Sequence, residues 1–314
     1  MRPKIFASLL LALAGGLFAA TAVANVVFDP QGVFSTGVFP QLNPNTRYRR
    51  FLAYRRAAAD VDGLLFASSR GRAFDLVLLA RRMGVREVAN FSVPFGLLTD
   101  HVAFLEYVLR DKARRGERIK AVLLVIDADH FGKAPWTNVN IDSFLPPPVS
   151  GETAAYFWWR YLTAFQYRTW QASIAAKRNS DALSQAEADR EPVAVPAPSH
   201  VRAKTPRPDF QHQIALLQRF ADLCRDNGVA LTVATSPLSG ANADALDRDE
   251  LKFIVAQIGK VVPVWDFTAP SPLARRKDLW LDASHYVEAV GTMMIDRMYL
   301  ADSRGEFGRL SGAQ

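Results

Sequence analysis

The 314-residue chain holds a single cysteine, Cys224. An intramolecular disulfide is therefore excluded, and so is any paired-cysteine metal spacing. Cys224 sits in LLQRFADLCRDNG, whose helical periodicity predicts a buried structural thiol. Glycine and proline stand at only 18 each, which rules out a collagen-like or low-complexity chain. There is no internal repeat. A long basic stripe interleaved with aromatics is also missing. The net charge is +7, but Lys and Arg are scattered, with short clusters at Arg47-Tyr48-Arg49-Arg50, Arg81-Arg82 and Arg275-Arg276-Lys277. Nucleic acid is not an expected partner.

What remains is an ordinary globular balance, 49% hydrophobic and 22% charged, long enough to bury one large α/β core or two small ones. The N-terminus departs from it. MRPK is a short basic region, and Ile5 to Phe28 then carries no charge. A membrane span needs about 20 apolar residues, whereas the core of a signal peptide needs about 7–15. The length favours a retained anchor; Ala22-Val23-Ala24 offers a cleavage site near Ala24. Either way Arg2 and Lys4 stay inside and the rest is expected outside the cytoplasm, in the periplasm.

The expected organisation is an anchor or signal segment over 1–28, an extended connector over 29–60, one α/β domain over 61–302 and a tail over 303–314. Asp62–Ser68 reads as a first strand, its continuous apolar run suiting a parallel strand covered on both faces. A helix ending at Gly84, a short strand in EVANFSV, and an amphipathic helix with Leu98, Val102, Leu105, Val108 and Leu109 on one face follow. IKAVLLVIDAD is a third strand, and AAYFWWRYLTAFQYRTWQASIAAK an aromatic helix or helix pair. Residues from about 178 to 208 are polar and Pro-rich, a long insert. Beyond it come a helix stopped by Gly228, strand VALTVATSP, helix DELKFIVAQIGK, strand VVPVWDF, and a last helix with Ser284 as N-cap. This alternation predicts an α/β fold with helices on both faces of a parallel sheet of about five strands.

Two places can carry chemistry. Ser68-Ser69-Arg70-Gly71 follows the first strand, where open α/β sheets place their ligands. Asp282 and His285 lie three apart ahead of the last helix. Activating a hydroxyl needs a base within reach and a group that orients the base. Aspartate and histidine at that spacing can hold the imidazole while its other nitrogen faces a serine. Other readings of the same residues stay open. Ser69 can be a turn hydroxyl, and Ser68, Ser69, Arg70 and Arg72 an anion clamp. Asp127, Asp129 and His130 are hard ligands at a strand end, though no full metal set is readable and no metal is expected. The run Tyr156, Phe157, Trp158, Trp159 and Tyr161 suits helix packing, membrane-proximal packing or sugar stacking.

The order of these segments resembles the SGNH (GDSL-like) hydrolase superfamily. It is most similar to the membrane-anchored SGNH-like proteins of bacterial envelope and exopolysaccharide systems. The resemblance rests on Ala67-Ser68-Ser69-Arg70, Asn90-Phe91-Ser92-Val93-Pro94, Cys224, Ser236-Pro237, Asp266-Phe267, and Asp282-Ala283-Ser284-His285-Tyr286 with Gly291, together with FDPQGVF after the anchor. It implies a three-layer α/β/α, flavodoxin-like domain. It also implies an esterase or O-acyltransferase acting on acyl esters of an envelope or exported polysaccharide, without a cofactor. Ser69 takes the nucleophile position, His285 the base and Asp282 the orienter. Ser69 N–H, Asn90 and Gly96 are the oxyanion-hole candidates, and Arg70 and Tyr286 the substrate-binding ones. Two departures stand out: Ala67-Ser68 where the hydrolases have Gly-Asp, and Asp127 and Asp129 where an asparagine is expected. A carboxylate there repels an oxyanion. They motivate the alternative of an inactive binding or assembly partner of a membrane acyltransferase or export system.

Overall fold

The computed structural model describes residues 3–132, 143–178, 209–300 and 307–312. In chain order its helices are α1 Pro3–Phe28, α2 Thr46–Ala57, α3 Leu76–Met83, α4 Leu98–Arg114, α5 Pro147–Ser150, α6 Ala154–Thr163, α7 Tyr167–Arg178, α8 Phe210–Asp226, α9 Gly240–Ala245, α10 Arg248–Val261 and α11 Glu288–Tyr299. The strands are β1 Val61–Phe66, β2 Glu87–Asn90, β3 Ala121–Ile126, β4 Ala230–Thr235, β5 Val264–Asp266 and β6 Arg309–Ser311. The chain divides into two compact units. One comprises residues 1–49 with 138–191, the other 50–137 with 192–314. The helices at 154–178, expected inside the α/β domain, thus group with the N-terminal helix. Nearly all of the insert expected at about 178–208 lies outside the described residues.

The second unit is α/β. Its sheet has six strands in the order β2-β1-β3-β4-β5-β6. The first five run parallel, and β6 pairs antiparallel with β5 through Trp265 and Leu310. The segment expected as a plain tail therefore supplies an edge strand. Every residue of β1 and β3 is buried, as continuous apolar runs between two covered faces require. Neighbouring side chains on a strand point to opposite faces. Phe66 accordingly packs on Phe91, His101 and Phe220. Leu65 belongs to a separate cluster with Leu79 of α3 and Val290 and Met294 of α11. Cys224 on α8 is buried, and that burial pushes its thiol up to about 12, as suits a structural thiol.

Caps set the helix ends near the sheet. Asp75 accepts the N–H groups of Val77 and Leu78 at 2.8 and 3.0 Å, and Gly84 closes α3 in the left-handed region at φ +68°. The last helix begins later than expected. α11 starts at Glu288 with Val287 before it and no side-chain cap, so Ser284 is not an N-cap. Residues 280 and 286 form a β-bridge instead, which turns the intervening segment into a tight loop.

In the first unit, α1 is the one described helix long and apolar enough to cross a membrane. Residues 3–20 are exposed throughout. Towards its C-terminal end Thr21 and Asn25 are buried. The Asn25 amide donates to the carbonyls of Tyr161 and Ala164, both at 2.8 Å, and its oxygen accepts from the Trp170 indole at 3.1 Å. The expected extended connector is a chain of turns leading into α2; the first turn is held by Asp29, whose carboxylate accepts the Val33 N–H at 2.9 Å.

Candidate active site

The strand order reverses direction about β1: β2 lies on one side of it, β3 on the other. Such a switch point opens a crevice at the C-terminal strand ends. Ser69 lies there, on the first turn of a 3₁₀ helix, Ser69–Ala73, that follows β1. Ser68 caps this turn by accepting the Arg70 N–H at 3.3 Å. The N–H of Ser69 is at the helix start, where the first N–H groups have no intrahelical acceptor.

The loop between β5 and α11 brings His285 to the same place. Ser69 Oγ lies 2.8 Å from His285 Nε2 across 216 positions of sequence. His285 Nδ1 lies 2.7 Å from Asp282 Oδ2. A carboxylate can only accept, so Nδ1 carries the proton and Nε2 is left to accept from the serine hydroxyl. The other Asp282 oxygen accepts the N–H groups of Ser284 and His285 at 2.7 and 2.8 Å. Partial burial acts to raise the Asp282 carboxyl, but these N–H groups and the imidazole outweigh it and hold the carboxyl below the usual range. The imidazole is about one-third exposed and the carboxylate about half, so the line is open to an incoming substrate.

Four hydrogen bonds brace the loop that carries His285. Ser239 Oγ and Asn242 Nδ2 both donate to the Ala283 carbonyl, at 2.6 and 2.8 Å. Leu281 N–H donates to the His285 carbonyl at 2.8 Å. Arg70 Nε donates to the Ser284 carbonyl at 2.9 Å. Arg70 is 4% exposed and grips Asp129 through two 2.9 Å bonds, with Asp127 at 3.2 Å. Burial acts to lower the arginine, but the charges of Asp127 and Asp129 prevail and keep it ionised. Burial likewise acts to raise Asp129, and the Arg70 charge overrides it, holding the carboxyl well below its ordinary range. Ser236 Oγ donates to Asp127 at 2.7 Å and completes the cluster.

Several expectations change at this point. Arg70 is not a substrate-binding residue: its guanidinium is spent on Asp129, Asp127 and Ser284. It ties the turn that carries Ser69 to the loop that carries His285. Tyr286 is buried, with its ring edge-on to Trp280 at 5.9 Å, so it offers no face to substrate. Its burial, followed by the Asp127 charge, pushes the phenol up. The N–H of Gly96 donates to the Val93 carbonyl at 3.0 Å and is not free to serve an oxyanion. Asn90 holds the Ser92 N–H at 2.7 Å with its oxygen, and its amide nitrogen makes only a long 3.4 Å bond to the Gly71 carbonyl. Asp127 and Asp129, expected to repel an oxyanion or hold a metal, instead both contact the Arg70 guanidinium, at 3.2 and 2.9 Å. Among the described residues no group of three or more His, Cys, Asp or Glu is placed to hold a metal ion.

No protein-family model matches the chain, and no curated protein is significantly similar to it.

Two glycines make that geometry accessible. A Cβ on Gly291 would lie 2.0 Å from the Ala73 carbonyl oxygen, so α11 packs directly against the 3₁₀ helix. A Cβ on Gly71 would lie 1.9 Å from Ser92 Oγ. The Ser239, Asn242 and Ser236 contacts were not read from the sequence. The only signal for them is a Ser-Pro strand end followed by a polar cap.

Proposed function

We propose that this protein is an extracytoplasmic serine esterase or O-acyltransferase of SGNH type, acting on acyl esters of an envelope or exported polysaccharide. The observation that carries the reading is the unbroken line Ser69 Oγ, His285 imidazole, Asp282 carboxylate, with links of 2.8 and 2.7 Å. Catalytic hydrogen bonds fall at about 2.6–3.2 Å.

The cycle follows from the line. Ser69 Oγ attacks the acyl carbonyl carbon as its proton passes to His285 Nε2. Asp282 stabilises the imidazolium formed. The oxyanion meets the Ser69 N–H, and the Asn90 amide is the second donor once it leaves its long bond to Gly71. Collapse expels the sugar alcohol, which takes the proton from Nε2, and the acyl group rests on Ser69. Water or an acceptor hydroxyl then gives its proton to Nε2 and attacks the ester, releasing acid or acylated product and restoring Ser69.

The strand order β2-β1-β3-β4-β5 and the division of Leu65 and Phe66 between different helices support a three-layer, SGNH/flavodoxin-like domain. The exposed apolar length of α1 supports anchoring in the inner membrane with the α/β unit on the periplasmic side. The burial of Thr21 within the folded unit favours a retained helix over cleavage near Ala24. A membrane acyltransferase is the fitting acyl source if the reaction is transfer.

The test is turnover of 4-nitrophenyl acetate, and of an O-acetylated polysaccharide, by the full chain in detergent. The wild type releases or transfers acetate, and Ser69→Ala loses about 10³-fold or more while melting at the same temperature. Equal turnover by a folded Ser69→Ala variant would contradict the assignment and favour a non-catalytic assembly role.

A further inference from the structure

We infer that α6 is a second membrane contact, lying in the lipid interface of the outer leaflet beside the end of α1. The inference rests on the membrane reading of α1 and goes beyond it. The exposed part of α1, residues 3–20, is ~27 Å long at 1.5 Å per residue. That is close to the hydrocarbon thickness of about 30 Å. Phe18, near its end, stacks on Trp159 of α6 with centroids 5.2 Å apart. The apolar surface of α1 therefore meets α6 at this stack.

The outward face of α6 suits that depth. Ala155, Tyr156 and Trp159 stand on one face at helical spacing and are exposed, the two aromatics by 53% and 54%. Tyrosine and tryptophan are the residues enriched where acyl chains meet headgroups, because one part of the ring is apolar and another hydrogen-bonds. The opposite face is packed inside the unit: Phe157 and Tyr161 are buried with Val33. Between Thr153 and Tyr167 the only charged residue is Arg160. It pairs with Glu152, and its guanidinium lies 3.7 Å from the Phe144 ring centroid and 4.7 Å from that of Tyr156. A charge shielded in this way is tolerated at a lipid boundary. The occupant is thus the bilayer interface, reached by continuity with α1.

Nitroxide accessibility tests this. The full chain, with Cys224→Ala, is labelled singly at Ala155→Cys, Trp159→Cys, Leu10→Cys or Lys252→Cys and reconstituted in phosphatidylethanolamine/phosphatidylglycerol vesicles. Relaxation by oxygen is compared with relaxation by a water-soluble nickel chelate. Labels at 155 and 159 should favour oxygen as the label at 10 does, and the label at 252 should favour nickel. Keeping Trp159 intact, the 155 label guards against loss of the Phe18 stack. Labels at 155 and 159 that match 252, while 10 stays in lipid, would overturn the inference and leave α1 as a lone anchor. Protection of 155 and 159 in native membranes but not in vesicles would overturn it in favour of a protein partner. A nickel-accessible label at 10 would remove the membrane reading of α1 itself.

Discussion

Asp282 makes contacts with both of its carboxylate oxygens. Its two oxygens have separate roles. One fixes the loop by accepting two N–H groups, and the other fixes the imidazole tautomer. Asp282→Asn presents an amide that can turn its NH₂ to the ring and leave Nε2 protonated. Turnover is then expected to fall by about 10³–10⁴-fold at unchanged KM, read by steady-state kinetics. Arg70 belongs to a different class. Replacing it with Met removes the cation held between buried Asp129 and half-buried Asp127, and breaking a buried ion pair costs about 3–5 kcal/mol. Denaturant melts should show that loss. Arg70→Lys keeps the charge but not the two parallel bonds to Asp129. It should recover part of the stability, while kcat stays low and KM little changed, because Ser284 has lost its tie to the nucleophile turn. Full activity in a stable Arg70→Lys protein would contradict the positioning role.

At the scale of elements, the contact between α11 and the 3₁₀ helix sets the distance from His285 to Ser69. Gly→Ala inside a helix normally gains up to about 1 kcal/mol. At Gly291 the new methyl meets the Ala73 carbonyl, and overpacking of this kind costs about 1–3 kcal/mol. Gly291→Ala should therefore lower the melting temperature and slow the acylation of Ser69 together; a stabilised, fully active variant would refute this packing account. The same elements show what a sequence can reveal. β1 and β3 were legible because strands buried on both faces have no polar alternation to confuse them. α3 and α4 announced themselves by period and, for α3, by the Gly84 stop. The Asp282–His285 pair was legible because its contact is local. β6 was not legible: three residues at a sheet edge, two of them exposed, carry no pattern. The start of α11 was misread because Ser284 has the chemistry of a cap, whereas the segment is held by Asp282, Ser239, Asn242 and Arg70. The pairing of Arg70 with Asp129 was illegible for a related reason. It depends on β1 and β3 being neighbours, and without that placement the aspartates read only as negative charge.

For the whole molecule, acid should be the destabilising direction. Asp62, Asp129 and Asp282 are all held below the ordinary carboxyl range in the fold, each against burial: Asp62 by Lys120 and Arg86, Asp129 by Arg70, Asp282 by its N–H donors and the imidazole. A depressed carboxyl contributes stability that is complete above the unfolded value of about 3.9 and is lost as pH falls through the folded one. Calorimetry should give a melting temperature that holds from neutral pH to about pH 5 and declines below about pH 4; a rise on acidification would be inconsistent with these contacts. The proposed anchoring through α1 predicts behaviour on the same scale: the full chain should remain with membranes after an alkaline carbonate wash, and deletion of residues 1–28 should release it. The central claim is that segments 216 positions apart meet to form one activated serine. Intact-mass and peptide mapping after brief exposure to a fluorophosphonate tests it most directly. The prediction is a single adduct on Ser69 in the wild type, lost in both Ser69→Ala and His285→Ala; a folded wild-type protein that takes no label, or takes it elsewhere, would contradict it.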